Sequence, residues 1–545
     1  MRNFLPILVL VTICLVPSAS NVVRAQSTVG VVEFPNSGSA EAQAPFLHGL
    51  AQLHNFEYDD AAAAFRKAQE TDPSFAMAYW GEAMTHNHPI WMEQDTAAAR
   101  AILKKLGATP EARLAKASTE REKDYLRAVE VIYGEGDKKG RDFAYSDAME
   151  KLSQKYADDV NAAAFYALSL LGTAHKGRDF AIYMRSAAVL EQAFRDHPNH
   201  PGIVHYLIHS YDDPIHAPLG LRAARIYSRL APAAAHAQHM TSHIYVALGM
   251  WDDVVPANEN ATSVVNRDRT AQGKLPRYGG HYNFWLEYGY LQQGRYEAAK
   301  SLLKKSYESI KQSEASSRHM HGMDALDPDN SPFASFIQMR LRYLVDSGDW
   351  NGEVASWEVP TQQNLGARIT EEFTRGFGAI QRGNGSEART ALEKLKEAKQ
   401  ELEISLQKQV SSDQSYGVRA SILEEQLQAM IWLSEGMKNQ AVSQLQATAK
   451  KEETMPIAFG PPFVDKPTYE LLGEMLLKTN RPEEARAAFE TALTRTPLRT
   501  ASLLGLASAV DKSGDKQKAG ETYGILRQIW RQADQTVRGS LPHEK

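Results

Sequence analysis

The sequence predicts an all-α fold, a right-handed helical solenoid of stacked helix–turn–helix units with irregular insertions between them. Three observations carry that expectation. Small and large apolar residues recur at a period of 34: Leu472, Gly473, Ala485 and Phe489 return as Leu506, Ala507, Ala519 and Tyr523. No segment keeps up the period-2 alternation of a half-buried strand. The length, 545 residues, exceeds what one compact core organises, so several domains or a repeat array are required.

In chain order, Met1-Arg2-Asn3 is followed by the apolar run Phe4 to Val16 and by small and polar residues at 17–20. Residues 1–25 therefore read as a secretory signal, cleaved after Ser20 or Ala25. The run is too short for a membrane span, and an uncleaved anchor is the alternative. Residues 26–44 form a polar lead-in. Residues 45–310 form an N-terminal repeat array: Gly49, Ala61, Phe65, Ala68 and Pro73 mark one unit, and Tyr79 with Gly81 opens the next. Gly249-Met250-Trp251 makes the turn of a later unit, and Gly294, Tyr296, Ala299 and Leu303 mark another. Residues 311–415 are an irregular helical middle, with turn formers over 311–332 and Pro360. Residues 416–545 form a C-terminal array, with Gly436, Ala441 and Leu445 in one unit and a loop at Pro456–Pro467. In Lys466–Arg499 the small residues fall where two helices must approach closely, and Pro497 ends the second helix. This stretch resembles a tetratricopeptide repeat at nearly every diagnostic position. Repeats of that type bury a continuous core only by stacking.

Composition narrows the chemistry. With 43% hydrophobic residues, 23% charged residues and a net charge of −5, the chain has no long basic run, which argues against a nucleic-acid partner. The single cysteine, Cys14, lies inside the signal, and Ile13 before it does not suit lipid attachment. The mature chain then has no thiol, which excludes disulfides, thiolate catalysis and Cys-ligated metals. Any metal must be held by His, carboxylate, Met or carbonyl groups.

Eight of the 17 histidines fall between 197 and 243. His205 and His209 form one i,i+4 pair, and His239 and His243 form a second pair 34 residues later. The i,i+4 spacing puts both rings of a pair on one helix face, and the offset puts the pairs at equivalent positions of neighbouring units. In tetratricopeptide arrays those positions face the concave groove. Axes of packed helices lie about 8–10 Å apart, so four imidazoles can reach one ion. Neutral imidazole suits borderline metals, which points to a divalent ion, zinc or copper. Asp212, Asp213 and His216 stand ready to complete or orient the ligands, and His236 and His281 border the same surface. Structural hydrogen bonding is the competing account of such histidines.

Other features are weaker. Neither pair carries the His-Glu-x-x-His of a zinc peptidase, and spacing does not select Glu287 or Asp213 as a base. His86 and His88, between Trp80 and Trp91, could line the groove, although aromatics there are more often core. His319-Met320-His321-Gly322-Met323 is a short His/Met run of low specificity. No phosphate loop or nucleophile elbow is present.

The chain resembles a His-rich group of secreted bacterial tetratricopeptide-repeat proteins. The likeness runs through Phe65 to Trp91, His200-Pro201-Gly202 to His209, Asp212-Asp213-Pro214, His236 to Trp251, and Gly460-Pro461-Pro462 to Gly514. It implies a fold and a periplasmic or secreted location, and names no reaction. Two functions follow as expectations. One is an exported scaffold that binds a protein or peptide in its concave groove, with a His-lined metal site there and no membrane span after signal cleavage. The alternative is a metal-dependent hydrolase or oxidoreductase centred on the same histidines. A scaffold keeps its metal coordinated or needs none, whereas an enzyme needs an open ligand position and a nearby base.

Overall fold

A computed structural model describes residues 28–314, 332–359, 361, 364–407, 415–457 and 459–542. Residues 1–25, read above as a secretory signal, with Cys14 among them, lie outside the described residues, as do Pro360 and the His319–Met323 run. Within them the chain is an all-α helical solenoid of 26 α-helices. A two-residue ladder pairs Asn87 with Gln94 and His88 with Glu93. Among the described residues no helix is long and apolar enough to cross a membrane.

Successive helices pack against one another along the chain, in an inner and an outer layer that burial distinguishes. Every residue of the inner helices Pro201–Tyr211 and Ala235–Ala247 is buried, so these segments show no polar face. Their outer partners, Ala217–Leu230 and Trp251–Ala271, bury a single stripe and expose the rest. Local signals set the ends. Pro201 sits in the first turn of its helix and the His200 ring accepts from the Ile203 N–H, which satisfies one of the terminal donors. The turns between layers at Gly249 and Gly294 have φ of +66° and +65°, a region that only glycine enters without strain.

Small residues decide how closely the layers approach. A Cβ on Gly81 would stand 2.3 Å from the Phe65 ring. Phe489 is held between Gly473 and Gly505, where added Cβ atoms would come within 2.7 and 2.2 Å of its ring. In these two units an aromatic ring fills the space that the glycines leave.

The array closes on itself at both ends. Trp251 Nε1 donates to the Leu498 carbonyl (3.0 Å), and Trp530 Nε1 donates to that of Gln292 (3.1 Å). Arg499, fully buried, joins Asp346 (2.6 Å) to Glu470 (2.8 Å). At the other end, residues 28–38 are less polar in place than in composition. They run extended, with Val29, Val32 and Phe34 buried, and Thr28 accepts from the Ala233 N–H (2.8 Å). Helix Ala40–His54 then packs against Pro201–Tyr211, so the first unit roofs the histidine-bearing ones.

Candidate metal centre

The histidines meet where helices Pro201–Tyr211, Ala235–Ala247 and His281–Gln292 lie side by side under helix Ala40–His54. His205 and His209 project from the first. His236, His239 and His243, at i, i+3 and i+7, share one face of the second, and His281 opens the third. Ring centroids form a continuous chain: His205 to His209 4.9 Å, His205 to His236 5.0 Å, His236 to His239 6.1 Å, His239 to His281 4.4 Å, and His209 to His243 5.5 Å.

Hydrogen bonds place the proton on Nδ1 of His205, His239 and His243. His205 Nδ1 donates to the His54 carbonyl (2.7 Å). His243 Nδ1 donates to Asp212 Oδ2 (2.9 Å), and His209 Nδ1 faces the same oxygen at 3.5 Å. His239 Nδ1 donates to Asn258 Oδ1 (2.6 Å), an amide held in that orientation by its own donation to the Val254 carbonyl. A neutral ring that donates from Nδ1 presents a bare lone pair at Nε2. The Nε2 atoms of His205, His209 and His236 are buried and have no hydrogen-bond partner among the described residues. Those of His239 and His243 face each other at 3.1 Å.

Three overlapping groups offer ligand atoms within 4.8 Å of one another: His205, His209 and His236; His239, His243 and His281; and His209, Asp212 and His243. The two sequence pairs thus come together, but they do not converge on one four-nitrogen point. Each pair takes its own third histidine. The reason is helical: His236 lies one turn before His239 and reaches across to the first pair, and His281 arrives from the following unit. Of the further candidates, His236, His281 and Asp212 belong to these groups. Asp213 and His216 pair with each other (2.9 Å) at the start of the next helix, and Asp213 also binds Arg178 (3.3 Å). His88 stacks on Tyr58, and its Nε2 donates to the Thr85 carbonyl (3.0 Å), away from the chamber. Trp80 is core, as aromatics there more often are, while Trp91 packs edge-on against His236.

The expectation of an open groove at these residues is corrected. His205 and His239 have no exposed surface and His209 and His243 have 2%, because the interior is filled by the chain itself. Phe56 lies 4.3 Å from the His205 ring, Trp285 stacks on His243 at 4.4 Å, and Phe459, from the loop after Pro456, covers the other face of the chamber at 5.4 Å from His243. A cavity of about 20 Å³ between Asp212, Trp251, Tyr288, Gly460 and Pro497 abuts this wall.

Burial also sets the charge states. It pushes His205, His236 and His239 well below the ordinary imidazole value, with neighbouring histidines adding to the effect. It lowers His243 to about 4, against the opposing pull of Asp212. For Asp212, burial acts upward, but Arg178 and the hydrogen bonds from His209 and His243 outweigh it and hold the carboxyl well below its usual range. These rings are neutral near pH 7, the form that binds metal.

Sequence reasoning did not find Arg178, whose guanidinium contacts Asp212 directly, nor Asn258, Phe56, Trp285, Phe459 and the His54 carbonyl. Asn258 lies on the outer helix next to His239. Trp285 lies one turn after His281 on the same helix and Arg178 one repeat before Asp212, whereas Phe56, Phe459 and the His54 carbonyl come from remote units that closure of the array brings in.

Residues 467–497 match the tetratricopeptide-repeat family. They form the unit around Phe489 described above, within the C-terminal array. No curated protein matches the sequence. Among solved structures, the chain is similar to the APC/C hetero-tetramer Cut9–Hcn1, with 11% identity over 91% of this chain and 80% of that one and a TM-score of 0.38. It is similar to the TPR domain of P58(IPK), with 15% identity over 88% of this chain and 100% of that one and a TM-score of 0.22. Yeast Tom70 matches with 11% identity over 92% of this chain and 93% of that one and a TM-score of 0.28.

Proposed function

We propose that the protein is an exported helical-repeat scaffold for a protein or peptide partner, and that it holds a divalent transition metal, zinc or copper, in the buried histidine chamber. One observation carries the metal assignment. Three imidazole Nε2 atoms, on His205, His209 and His236, converge without a hydrogen-bond donor in a site closed to solvent. Leaving a buried acceptor unsatisfied costs about 1–3 kcal/mol each, and a cation bound by all three removes that cost. The backing is of the kind metal ligands use: a carbonyl holds His205, and a carboxylate holds His209 and His243.

The test is the metal content of tag-free protein, compared with a variant in which His205, His209, His239 and His243 are all replaced by Ala. Wild type is expected to retain zinc or copper through dialysis and the variant to lose it. Equal, negligible metal in both overturns the assignment. Export rests on the Phe4–Val16 run. A mature chain starting at Asn21 or Gln26 supports it, and one starting at Met1 contradicts it.

The scaffold is preferred to the enzyme on the placement of the candidate bases. Asp213 is engaged with Arg178 and His216. Glu287 is pushed far above the ordinary carboxyl value by burial, opposed by Arg342, and its charged neighbours are Arg342, Asp346, Asp465 and Arg499 rather than the histidines. Partner docking then falls to the exposed faces of the repeats, since the inner helices around the histidines are covered.

A further inference from the structure

Resting on the metal-binding proposal above, we infer that the chamber holds two ions side by side, one on His205, His209 and His236 and the other on His239, His243 and His281, with Asp212 as the strut between them. The first triad has its three bare Nε2 atoms. The second has an independent signature in the His239–His243 contact. Both rings spend their Nδ1 proton on strong acceptors, Asn258 Oδ1 and Asp212 Oδ2. Two Nε2 lone pairs therefore point at one another across 3.1 Å with no proton between them. That arrangement is repulsive unless a cation lies beside both. With metal–nitrogen bonds of 2.0–2.1 Å, two ligands of a tetrahedral ion stand about 3.3 Å apart, close to the observed separation. His281 supplies the third nitrogen within 4.8 Å.

The third group, His209, Asp212 and His243, is the competing arrangement: a single ion shared between the pairs. It requires His209 and His243 to bind through Nδ1 and to give up their contacts with Asp212 Oδ2. It also places a cation against a carboxylate that the buried Arg178 already contacts, and it leaves the Nε2 atoms of His205, His209 and His236 bare. Two ions on the Nε2 side satisfy every one of these nitrogens and leave Asp212 orienting one ring from each triad.

The experiment is equilibrium dialysis of chelator-treated full-length protein against zinc alone, followed by elemental analysis. It is run on wild type and on two variants, His205→Gln/His236→Gln and His243→Gln/His281→Gln, each checked for a native circular dichroism spectrum. Wild type is expected to take up two equivalents and each variant one. One equivalent in wild type, lost in both variants, means a single shared ion and overturns the two-ion inference while metal binding stands. Two equivalents surviving in the His243→Gln/His281→Gln variant overturn the second triad. No zinc in wild type overturns metal binding itself, and the inference with it. Should a variant misfold, wild type loaded with one and then two equivalents of Cu²⁺ decides by electron paramagnetic resonance. Dipolar broadening and a half-field transition at the second equivalent, from two adjacent ions, support the pair. Simple doubling of an isolated-ion signal, or no second uptake, overturns it.

Discussion

Asp212 is the residue on which the chamber's order depends. It accepts from His243, faces His209, and balances Arg178 in a region with no exposed surface. Asp212→Asn keeps the shape but replaces one acceptor oxygen by a donor and leaves Arg178 with Asp213 alone. Zinc affinity, measured by competition with a chromophoric chelator, is expected to fall about 10–100-fold, and an unchanged affinity contradicts the strut role. A second residue-scale consequence concerns acid. Burial lowers His54 to about 4, opposed by its hydrogen bond to Asn161. Unfolding returns it to its ordinary value near 6.5, so the unfolded chain binds the proton first. The stability His54 contributes is complete above about pH 6.5 and is lost as pH falls toward 4. Between pH 6.5 and 5 the loss is about 2 kcal/mol for this one ring. Urea melts of metal-free protein at these two pH values check it, and a midpoint that does not fall at pH 5 contradicts it.

At the scale of the element, the units around Phe65 and Phe489 are each built on an aromatic wedged between glycines. Phe489→Ala empties the space between Gly473 and Gly505, and a loss of about 3–5 kcal/mol is expected from large-to-small substitution of a buried Phe. Gly81→Ala acts in the opposite sense, pressing a Cβ into Phe65 at 2.3 Å, for about 1–3 kcal/mol. Thermal melts of both variants check these figures. This packing was legible in the sequence, because Gly473 and Phe489 sit at fixed offsets on two helices that must touch. The histidine pairs were legible for the same reason, since the inner helices begin at Pro201 and Ala235, one repeat apart. His236 was legible more weakly, as a residue one turn before His239. The next unit breaks the register: Trp251–Ala271 is a long outer helix and residues 272–280 follow it before His281. No period therefore assigned His281 to the second pair.

At the scale of the molecule, closure is what the sequence did not show. An array of repeats is expected to keep an inner surface open, yet here the 28–38 segment, the Ala40–His54 helix and the loop bearing Phe459 occupy it. Contacts such as Trp251 with Leu498 or His54 with His205 span more than a hundred residues, beyond the reach of any local pattern. Closure is held at one seam by Arg499 between Asp346 and Glu470, whose side chains are at most 5% exposed. Arg499→Ala leaves two buried carboxylates without that partner and is expected to cost about 3–5 kcal/mol. It should also raise protease sensitivity in the 456–467 loop, and limited proteolysis with a melt checks both.

The most direct measurement is anomalous diffraction at the zinc absorption edge from crystals of the zinc-loaded protein. Anomalous density is expected inside the chamber, within bonding distance of Nε2 of His205, His209 and His236, with a second peak at His239, His243 and His281. A chamber without an anomalous peak, with zinc found only on the surface, would contradict it.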